Sequence, residues 1–313
     1  QAVMAHDLGM PATDVAAGCG FTCALLLNGT VRCWGQNTVG QLGDGSWAAS
    51  LTPVSVRGLP APATRIAAGG SHACALLETG AVRCWGSNSV GQLGDGSNTD
   101  RAQATPVLGL GAGSLASDLD ASSGHSCAVV GGSLRCWGNN SSGQLGDGTT
   151  TSRNVPVTVP SVSSVESVAV GGAHTCIRHT SGAVQCWGRG RYGELGVDDF
   201  SDSPSPRLGS SLPGSTVLAA GSTFTCACDG AGATFCWGDN RRGQIGDGST
   251  TERPVPTAVL GAVAVFALSL GRDHTCALVG GGRPRCWGDN SNGYLGDGTN
   301  FARLGVVDVL PPL

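Results

Sequence analysis

Residues 69–96 read GGSHACALLETGAVRCWGSNSVGQLGDG, and the rest of the chain repeats the elements of this stretch. Its central tripeptide, Cys84-Trp85-Gly86, is one of six Cys-Trp-Gly copies, and consecutive copies lie 50 to 52 residues apart. The six copies begin at Cys33, Cys84, Cys136, Cys186, Cys236 and Cys286. A motif that returns at a fixed period over nearly the whole chain indicates a repeat protein.

Each repeat contains four short apolar segments separated by turn residues. In the first repeat these segments are residues 14–17, 22–27, 30–34 and 53–56. Turn signals such as Asn28-Gly29 join the second and third segments, as expected of a β-hairpin. A period near 50 residues with four strands per repeat predicts an all-β protein, a β-propeller of about six four-stranded blades. A seven-bladed or open ring is the alternative.

The repeats divide the chain into units of similar length. We expect one propeller domain, 1–313, with units near 11–60, 61–112, 113–160, 161–213, 214–260 and 261–313. Aligning the N-terminus on the second repeat places Val3 on Val54 and Leu8 on Leu59, which predicts a spare fourth strand within 1–10. The last fourth strand is expected at 306–310. The start at Gln1 rather than Met is interpreted as removal of a signal peptide or trimming.

Composition argues against several classes of protein. The 52 glycines oppose a helix-rich fold, because glycine costs about 1 kcal/mol per helical position. The net charge is −4 and the longest basic run is Arg241-Arg242, so no nucleic-acid partner is expected. Apolar runs fall short of the ~18 residues that cross a bilayer, so no membrane span is expected.

Twelve of the 14 cysteines form pairs on the second and third segments of a repeat. A three-residue turn at 27–29 places Cys23 opposite Cys33, and a two-residue Gly131-Gly132 turn places Cys127 opposite Cys136. The spacing and the turn therefore change together. The six pairs are Cys23/Cys33, Cys74/Cys84, Cys127/Cys136, Cys176/Cys186, Cys226/Cys236 and Cys276/Cys286.

We interpret these pairs as one disulfide per blade, formed in an oxidising compartment. Reduced core cysteines and zinc ligands are the alternatives, although no C-x₂-C spacing occurs. Cys19 and Cys228 remain unassigned, either as free thiols or as partners in a bond between two molecules.

The repeat resembles that of the regulator of chromosome condensation repeat family. The likeness is carried by the Gly-x-x-His-(Thr/Ser)-Cys-Ala-Leu segment, the Trp-Gly after the hairpin and the Asn-x-x-Gly-Gln-Leu-Gly loop. Members of that family are β-propellers, usually with seven blades. They include guanine-nucleotide exchange factors, a plant ultraviolet photoreceptor and secreted bacterial β-lactamase inhibitors, so the resemblance alone does not choose a function.

Three features depart from the family pattern. The paired cysteines are unusual for nuclear or cytosolic members, which makes exchange activity on an intracellular GTPase the less favoured function. Six units are present rather than seven, and the chain begins inside a unit. A secreted, disulfide-rich bacterial-type member fits these departures best.

Several recurring polar and aromatic residues were weighed as functional groups. Histidines recur at 72, 125, 174 and 274, and we expect each to bond backbone within its own blade rather than a metal. The aspartates of the GDG motif are interpreted as turn residues. The tryptophans of the Cys-Trp-Gly motif are expected in the core between blades. No catalytic motif, cofactor or metal site is predicted.

Differences between the repeats indicate where a partner binds. The loops after Cys-Trp-Gly carry arginine and aromatic residues in the fourth and fifth units, and these residue types are enriched at binding hot spots. The candidate binding residues are Arg189, Arg191, Tyr192, Arg241 and Arg242, with Trp47 in the first unit. A solvated loop face is the alternative.

The sequence thus predicts a secreted or cell-surface, non-catalytic scaffold that binds a protein or another extracellular macromolecule through its loops. A structural subunit of an extracellular assembly or filament, which would require self-association, is the alternative.

Overall fold

The computed structural model describes residues 8–209, 212, 214–262 and 264–310. Its 24 strands form six antiparallel sheets, and in each sheet four strands lie side by side in chain order. These sheets are the blades of a β-propeller, which confirms the predicted fold class. The chain forms two compact units, which divide after Val168.

In the N-terminal unit, Met4–Val168, three complete blades follow one another. The first blade consists of β1 Ala12–Ala17, β2 Phe21–Leu26, β3 Val31–Gly35 and β4 Ser50–Ser55. The second consists of β5 Ala63–Ala68, β6 His72–Leu77, β7 Val82–Gly86 and β8 Arg101–Pro106. The third consists of β9 Ala116–Ser122, β10 His125–Val130, β11 Ser133–Gly138 and β12 Arg153–Thr158.

The C-terminal unit contains the fifth and sixth blades and most of the fourth. The fourth blade consists of β13 Val165–Val170, β14 His174–His179, β15 Val184–Gly188 and β16 Ser203–Leu208. The fifth consists of β17 Val217–Ala220, β18 Phe224–Cys228, β19 Thr234–Gly238 and β20 Arg253–Ala258. The sixth consists of β21 Val265–Leu270, β22 His274–Val279, β23 Arg283–Gly288 and β24 Arg303–Asp308.

The hairpin between the second and third strands has the predicted register. Cys23 lies opposite Cys33 around a three-residue turn, and Cys127 lies opposite Cys136 around Gly131-Gly132. Both glycines have positive φ, 56° and 76°, as a two-residue hairpin turn requires. All six disulfides are formed at Cα–Cα distances of 4.0–4.1 Å, which suits the closer, non-hydrogen-bonded kind of cross-strand pair.

The fourth strand was placed too late by the sequence analysis. In the first blade it runs from Ser50 to Ser55, and in the sixth it begins at Arg303, three residues before the predicted start. A bulge explains the error, because Cys33 pairs with Val54 while Gly35 pairs with Ser50. The extra residues include one leucine in each of these blades, Leu51 and Leu304, but no repeated apolar alternation that would mark a strand.

Most of the predicted spare strand, 1–10, lies outside the described residues. The remaining three positions, 8–10, belong to no strand.

Within each unit the core lies between consecutive blades. The second strand is buried along most of its length in the first five blades, as expected of a strand covered on both faces. In three cases the first strands of consecutive blades contact one another: β1 contacts β5, β5 contacts β9, and β17 contacts β21. Five of the six motif tryptophans are fully buried there: Trp85, Trp137, Trp187, Trp237 and Trp287.

Among the described residues, no helix has the length and apolar character needed to cross a membrane.

Candidate functional site

The loop after Cys-Trp-Gly is a rigid element in most blades, and this determines how its variable side chains are presented. In the second blade the Asn88 amide donates to Asp95 Oδ1 at 3.1 Å and its oxygen accepts from the Leu93 amide at 3.0 Å. Asp95 also accepts from the Ser97 amide and from Arg101, both at 2.8–2.9 Å. The GDG aspartate is thus a turn residue, as predicted, and additionally an ion-pair partner.

The fourth blade builds this loop differently. Gly190 replaces the asparagine and Glu194 replaces the glutamine of the Gly-Gln-Leu-Gly segment. Glu194 is fully buried, accepts from the Tyr192 amide at 2.7 Å and pairs with Arg189 Nε at 2.7 Å. Burial raises the pKa of Glu194, and the Arg189 guanidinium partly offsets that rise. Arg189 also donates to the Ser222 carbonyl at 2.9 Å, so two groups of the protein hold its guanidinium in place.

Tyr192 and Arg241 come together from the loops of two consecutive blades. The guanidinium carbon of Arg241 lies 4.6 Å from the centroid of the Tyr192 ring, and that of Arg189 lies 5.6 Å from it. These distances are those of cation–π contacts. The fourth and fifth loops therefore share an aromatic–guanidinium contact formed by Arg189, Tyr192 and Arg241. Together with the loop neighbours of Tyr192 and Arg241 we call these residues the Tyr192 cluster: Arg189, Arg191, Tyr192, Arg241 and Arg242.

A carboxylate fixes the orientation of Arg241. Its Nε and Nη2 each donate at 2.9 Å to one oxygen of Asp239, which is buried. Burial alone would raise the pKa of Asp239, but the hydrogen bonds from Arg241 hold it below its usual range. The same contacts raise the pKa of Arg241, so its charge is permanent. A bidentate ion pair restricts the guanidinium to few orientations before a partner binds, so binding costs little further conformational entropy.

The two remaining arginines of the cluster are more exposed. Arg191 is 73% exposed and lies 3.5 Å from Asp202. Arg242 is also exposed. Burial raises the pKa of Asp273, and the positive charge of Arg242 partly offsets that rise. Trp47, the sixth candidate residue, is 53% exposed in the N-terminal unit. The structure thus brings five predicted residues into one unit, and Trp47 belongs to the other.

Sequence reasoning missed the carboxylates that organise the cluster. Asp239 stands two residues before Arg241, and Glu194 occupies a position that is glutamine in four other repeats. In both loops an acidic residue appears in the same repeat as the arginines, and this coincidence could have indicated an ion pair. Glu194 and Asp239 thus offset two of the four arginine charges of the cluster.

The histidines were expected to bond backbone within their own blades, and for His72 and His174 this was wrong. His72 Nε2 lies 2.8 Å from the Ser126 hydroxyl of the next blade, and His174 Nε2 lies 2.9 Å from that of Thr225. Burial lowers the pKa of His72 to about 4. These residues link blades. In the described part of the chain, no group of three His, Cys, Asp or Glu side chains is placed to hold a metal ion.

The two unassigned cysteines differ in accessibility. Cys19 is exposed, whereas Cys228 is buried beside the Thr234 hydroxyl and burial raises its thiol pKa. A bond between molecules through Cys228 would therefore require local opening of the fifth blade.

Curated relatives match about half of the chain. It is 32% identical over 178 residues to the human E3 ubiquitin-protein ligase HERC2, which covers 55% of this chain and 4% of HERC2. It is 34% identical over 179 residues to the mitochondrial RCC1 domain-containing protein RUG3 of Arabidopsis thaliana, covering 53% of this chain and 40% of RUG3. The chain thus spans less than half of the length of either relative.

Solved structures show the same fold. Human WBSCR16 aligns with a TM-score of 0.85 at 23% identity, over 97% of this chain and 83% of that one. Prp20p of Saccharomyces cerevisiae aligns with a TM-score of 0.84 at 21% identity, over 95% and 76%. The family model of the RCC1-like domain matches residues 3–309. The chain therefore belongs to the RCC1-like domain family.

Proposed function

We propose that this chain is a non-catalytic scaffold that binds another protein through the Tyr192 cluster. The observation that carries the proposal is the Arg241 guanidinium, held 4.6 Å from the Tyr192 ring and fixed by Asp239. Tyr and Arg are the residue types that dominate interface energetics when their orientation is fixed before binding. Arg191 and Arg242 flank them with exposed donors.

Related propellers support protein binding as the activity. One solved structure is of yeast RCC1 with Kap60 bound, and another concerns the binding of Prp20p to Gsp1p and histones. HERC2 is a ligase, but the likeness covers 4% of it, so we do not extend ligase activity to this chain. The partner contact of this chain is proposed on its own loop residues.

We further propose that the protein acts outside the cell or at the cell surface. Six disulfides support this, because such bonds persist in oxidising compartments and are rare in the cytosol. The partner is then an extracellular protein.

A comparison of two immobilised variants tests the proposal. The binding variant carries Arg191→Ala, Tyr192→Ala, Arg241→Ala and Arg242→Ala, and leaves the Arg189–Glu194 pair in place. The control variant carries Arg57→Ala and Arg283→Ala, which remove exposed arginines outside the cluster. We expect proteins from the culture supernatant that wild type and control retain to be lost on the binding variant. Equal retention by all three, with equal thermal stability, would show that the cluster is not the contact.

A further inference from the structure

A cavity of about 310 Å³ lies between the second and third blades, within the N-terminal unit. It is formed by the second-blade loop that follows Cys-Trp-Gly and by the start of β12, the fourth strand of the third blade. The lining residues are Val90, Asn98, Ser152, Arg153, Asn154 and Val155. Ligand cavities measure about 300–1,000 Å³, so the size of this one suits a single side chain rather than a cofactor.

Backbone contacts hold the two walls of the cavity together. The Gly96 N–H donates to the Asn154 carbonyl at 2.9 Å. Gly91 lies so close to β12 that a Cβ on it would be 2.5 Å from the Asn154 Cα atom, and its φ of 83° also favours glycine. Both walls are therefore in place before a ligand binds, which lowers the entropy cost of binding.

Hydrogen bonds fix the amide side chains of the cavity. The Asn154 amide donates to the Gly96 carbonyl and to Asn98 Oδ1, both at 3.1 Å, so both of its hydrogens are used. The Asn98 amide donates to the Ser89 carbonyl at 3.1 Å. A ligand rich in hydroxyl groups, such as a carbohydrate, would have to replace these bonds, whereas an apolar side chain would leave them intact.

The guanidinium of Arg153 forms another part of the lining. Its Nε and Nη2 atoms lie 3.1 and 3.0 Å from Asp147 Oδ2, and the Arg153 side chain is still 37% exposed. A guanidinium that is held in place attracts the face of an aromatic ring. The chain itself contains such a contact, at 4.6 Å, between Arg241 and the Tyr192 ring.

Apolar side chains complete the site. Val90 is partly buried, and Val155 is 38% exposed. Leu108, which is 50% exposed, lies beside Val155, because a Cβ on Gly96 would be 2.9 Å from Leu108 Cδ1 and 4.0 Å from Val155 Cγ1. Apolar surface next to a fixed guanidinium is an environment that suits an aromatic side chain.

Other repeats of the chain carry aromatic residues at the same loop positions. Trp47 in the first blade and Phe200 in the fourth stand where the second blade has Asn98, and Tyr192 stands where it has Val90. Trp47 is 53% exposed and Phe200 is 49% exposed, so the protein covers about half of each side chain. The loop therefore accommodates an aromatic ring at this position, whereas the second blade has the shorter asparagine there.

We propose that the cavity between the second and third blades is a docking site for one aromatic side chain of a partner protein. In the second blade the partner's ring takes the place that Trp47 and Phe200 take in their own blades. It contacts Val90 and Val155 and packs against the Arg153 guanidinium. The site shares no residue with the Tyr192 cluster, so it does not depend on the function proposed above.

Capped amino acids test the site directly. The probes are N-acetyl-tryptophan amide and N-acetyl-phenylalanine amide, and N-acetyl-leucine amide is the aliphatic control. Titration into ¹⁵N-labelled protein is followed by NMR through the side-chain amide signals of Asn98 and Asn154. We expect saturable shifts of these signals with both aromatic probes. The leucine probe should bind about 2- to 5-fold more weakly, because it makes no cation–π contact.

Two substitutions taken from the first and second blades change the cavity without a foreign residue type. Asn98→Trp introduces the residue found at position 47 and should abolish probe binding, followed through Asn154, because the new ring fills the cavity. Val155→Gln introduces the residue found at position 103 and should weaken binding about 2- to 10-fold by removing an apolar wall. Thr250→Trp is the matched control, since it adds a tryptophan at the same exposed loop position of the fifth blade.

The variant Arg191→Ala, Tyr192→Ala, Arg241→Ala and Arg242→Ala separates this site from the Tyr192 cluster and should bind the probes as wild type does. Circular dichroism checks that each variant is folded, and Val155→Gln decides the matter if Asn98→Trp is not. Shifts that do not saturate, equal binding of the leucine and aromatic probes, or wild-type binding by a folded Asn98→Trp or by Val155→Gln would each overturn the proposal. None of these results would count against protein binding by the Tyr192 cluster.

Discussion

The Nε2 atom of His72 lies 2.8 Å from the Ser126 hydroxyl, which itself donates to the Gln92 carbonyl at 3.1 Å. Because the hydroxyl gives its hydrogen to Gln92, it accepts from His72, and the imidazole carries its hydrogen on Nε2. The Nδ1 atom is buried without a hydrogen-bond partner among the described residues. Protonation would place a donor there with no acceptor, which agrees with the pKa of about 4 that burial gives His72.

This link predicts a loss of stability in mild acid. The unfolded chain takes up a proton at His72 near pH 6.5, whereas the folded protein does so near pH 4, so the unfolded state binds more protons between these values. The free energy of unfolding should be unaffected by His72 above pH 6.5 and should fall by about 3 kcal/mol by pH 4. Urea unfolding at a series of pH values measures the fall.

The first two blades provide the control for that measurement. In these blades Phe21 stands at the position of His72, and Ala73 stands at the position of Ser126. The double variant His72→Phe, Ser126→Ala should fold and should lose less stability than wild type over the same pH range. Identical pH profiles for the two proteins would show that His72 is not the responsible group.

The ion pair between Arg189 and the buried Glu194 predicts a compensating pair of mutations. Arg189→Ser leaves a buried carboxylate unpaired and should cost about 3 kcal/mol. Adding Glu194→Gln should restore most of that loss, because the second blade has Ser87 and Gln92 at these positions, joined at 3.3 Å. Thermal or urea unfolding of both variants measures the effect. If the double variant is no more stable than Arg189→Ser alone, the carboxylate is not the source of the loss.

Contacts between residues of the same repeat could be predicted from the sequence, whereas contacts between residues of different repeats could not. The Cys127–Cys136 disulfide and its Gly131-Gly132 turn follow from hairpin geometry within one repeat, and both were predicted. The His72–Ser126 link joins different blades, and a single repeat pattern does not say which residues meet across that boundary. The sequence signal for this link was that its two partners change together. In the first two blades Phe21 stands at the position of His72 and Ala73 at that of Ser126.

The Tyr192 cluster likewise contains residues that the sequence singled out and an ion pair that it did not. Arg191, Tyr192, Arg241 and Arg242 were predicted as binding residues because they differ from the other repeats, and that role stays a prediction. The pairing of Arg189 with Glu194 was missed because it depends on burial that only the folded loop reveals. Arg189 is thus held within the fold by an ion pair, and its part in binding stays a prediction.

The disulfide of the fifth blade should stabilise the protein mainly by restricting the unfolded chain. Removal of Cys226 and Cys236 together, each to alanine, opens a loop of sequence separation 10 and should cost about 2–3 kcal/mol. Cys228→Ala in the same strand is the matched control, since it removes a buried sulfur that closes no loop, at about 1 kcal/mol. Equal losses of urea-unfolding free energy in the two variants would show that cavity formation, not the crosslink, accounts for the effect.

The aspartate of the GDG motif should contribute more where an arginine follows it. Asp247 Oδ1 accepts from the Ser249 amide at 3.0 Å, and Oδ2 accepts from Arg253 Nε at 2.6 Å. Asp44 accepts from the Ser46 amide at 2.9 Å, but Ser50 stands in the arginine position. Asp247→Ala should therefore cost about 2 kcal/mol and Asp44→Ala about 1 kcal/mol.

Salt separates the two contributions of Asp247. The pair with Arg253 is partly exposed, so high ionic strength should screen it, whereas the turn hydrogen bond should remain. We therefore expect the difference in unfolding free energy between Asp247→Ala and Asp44→Ala to shrink as salt is added. Arg253→Ser, which gives the fifth blade the residue of the first, should remove the same salt-sensitive part on its own. A difference between the aspartate variants that is independent of salt would assign it to the turn rather than to the ion pair.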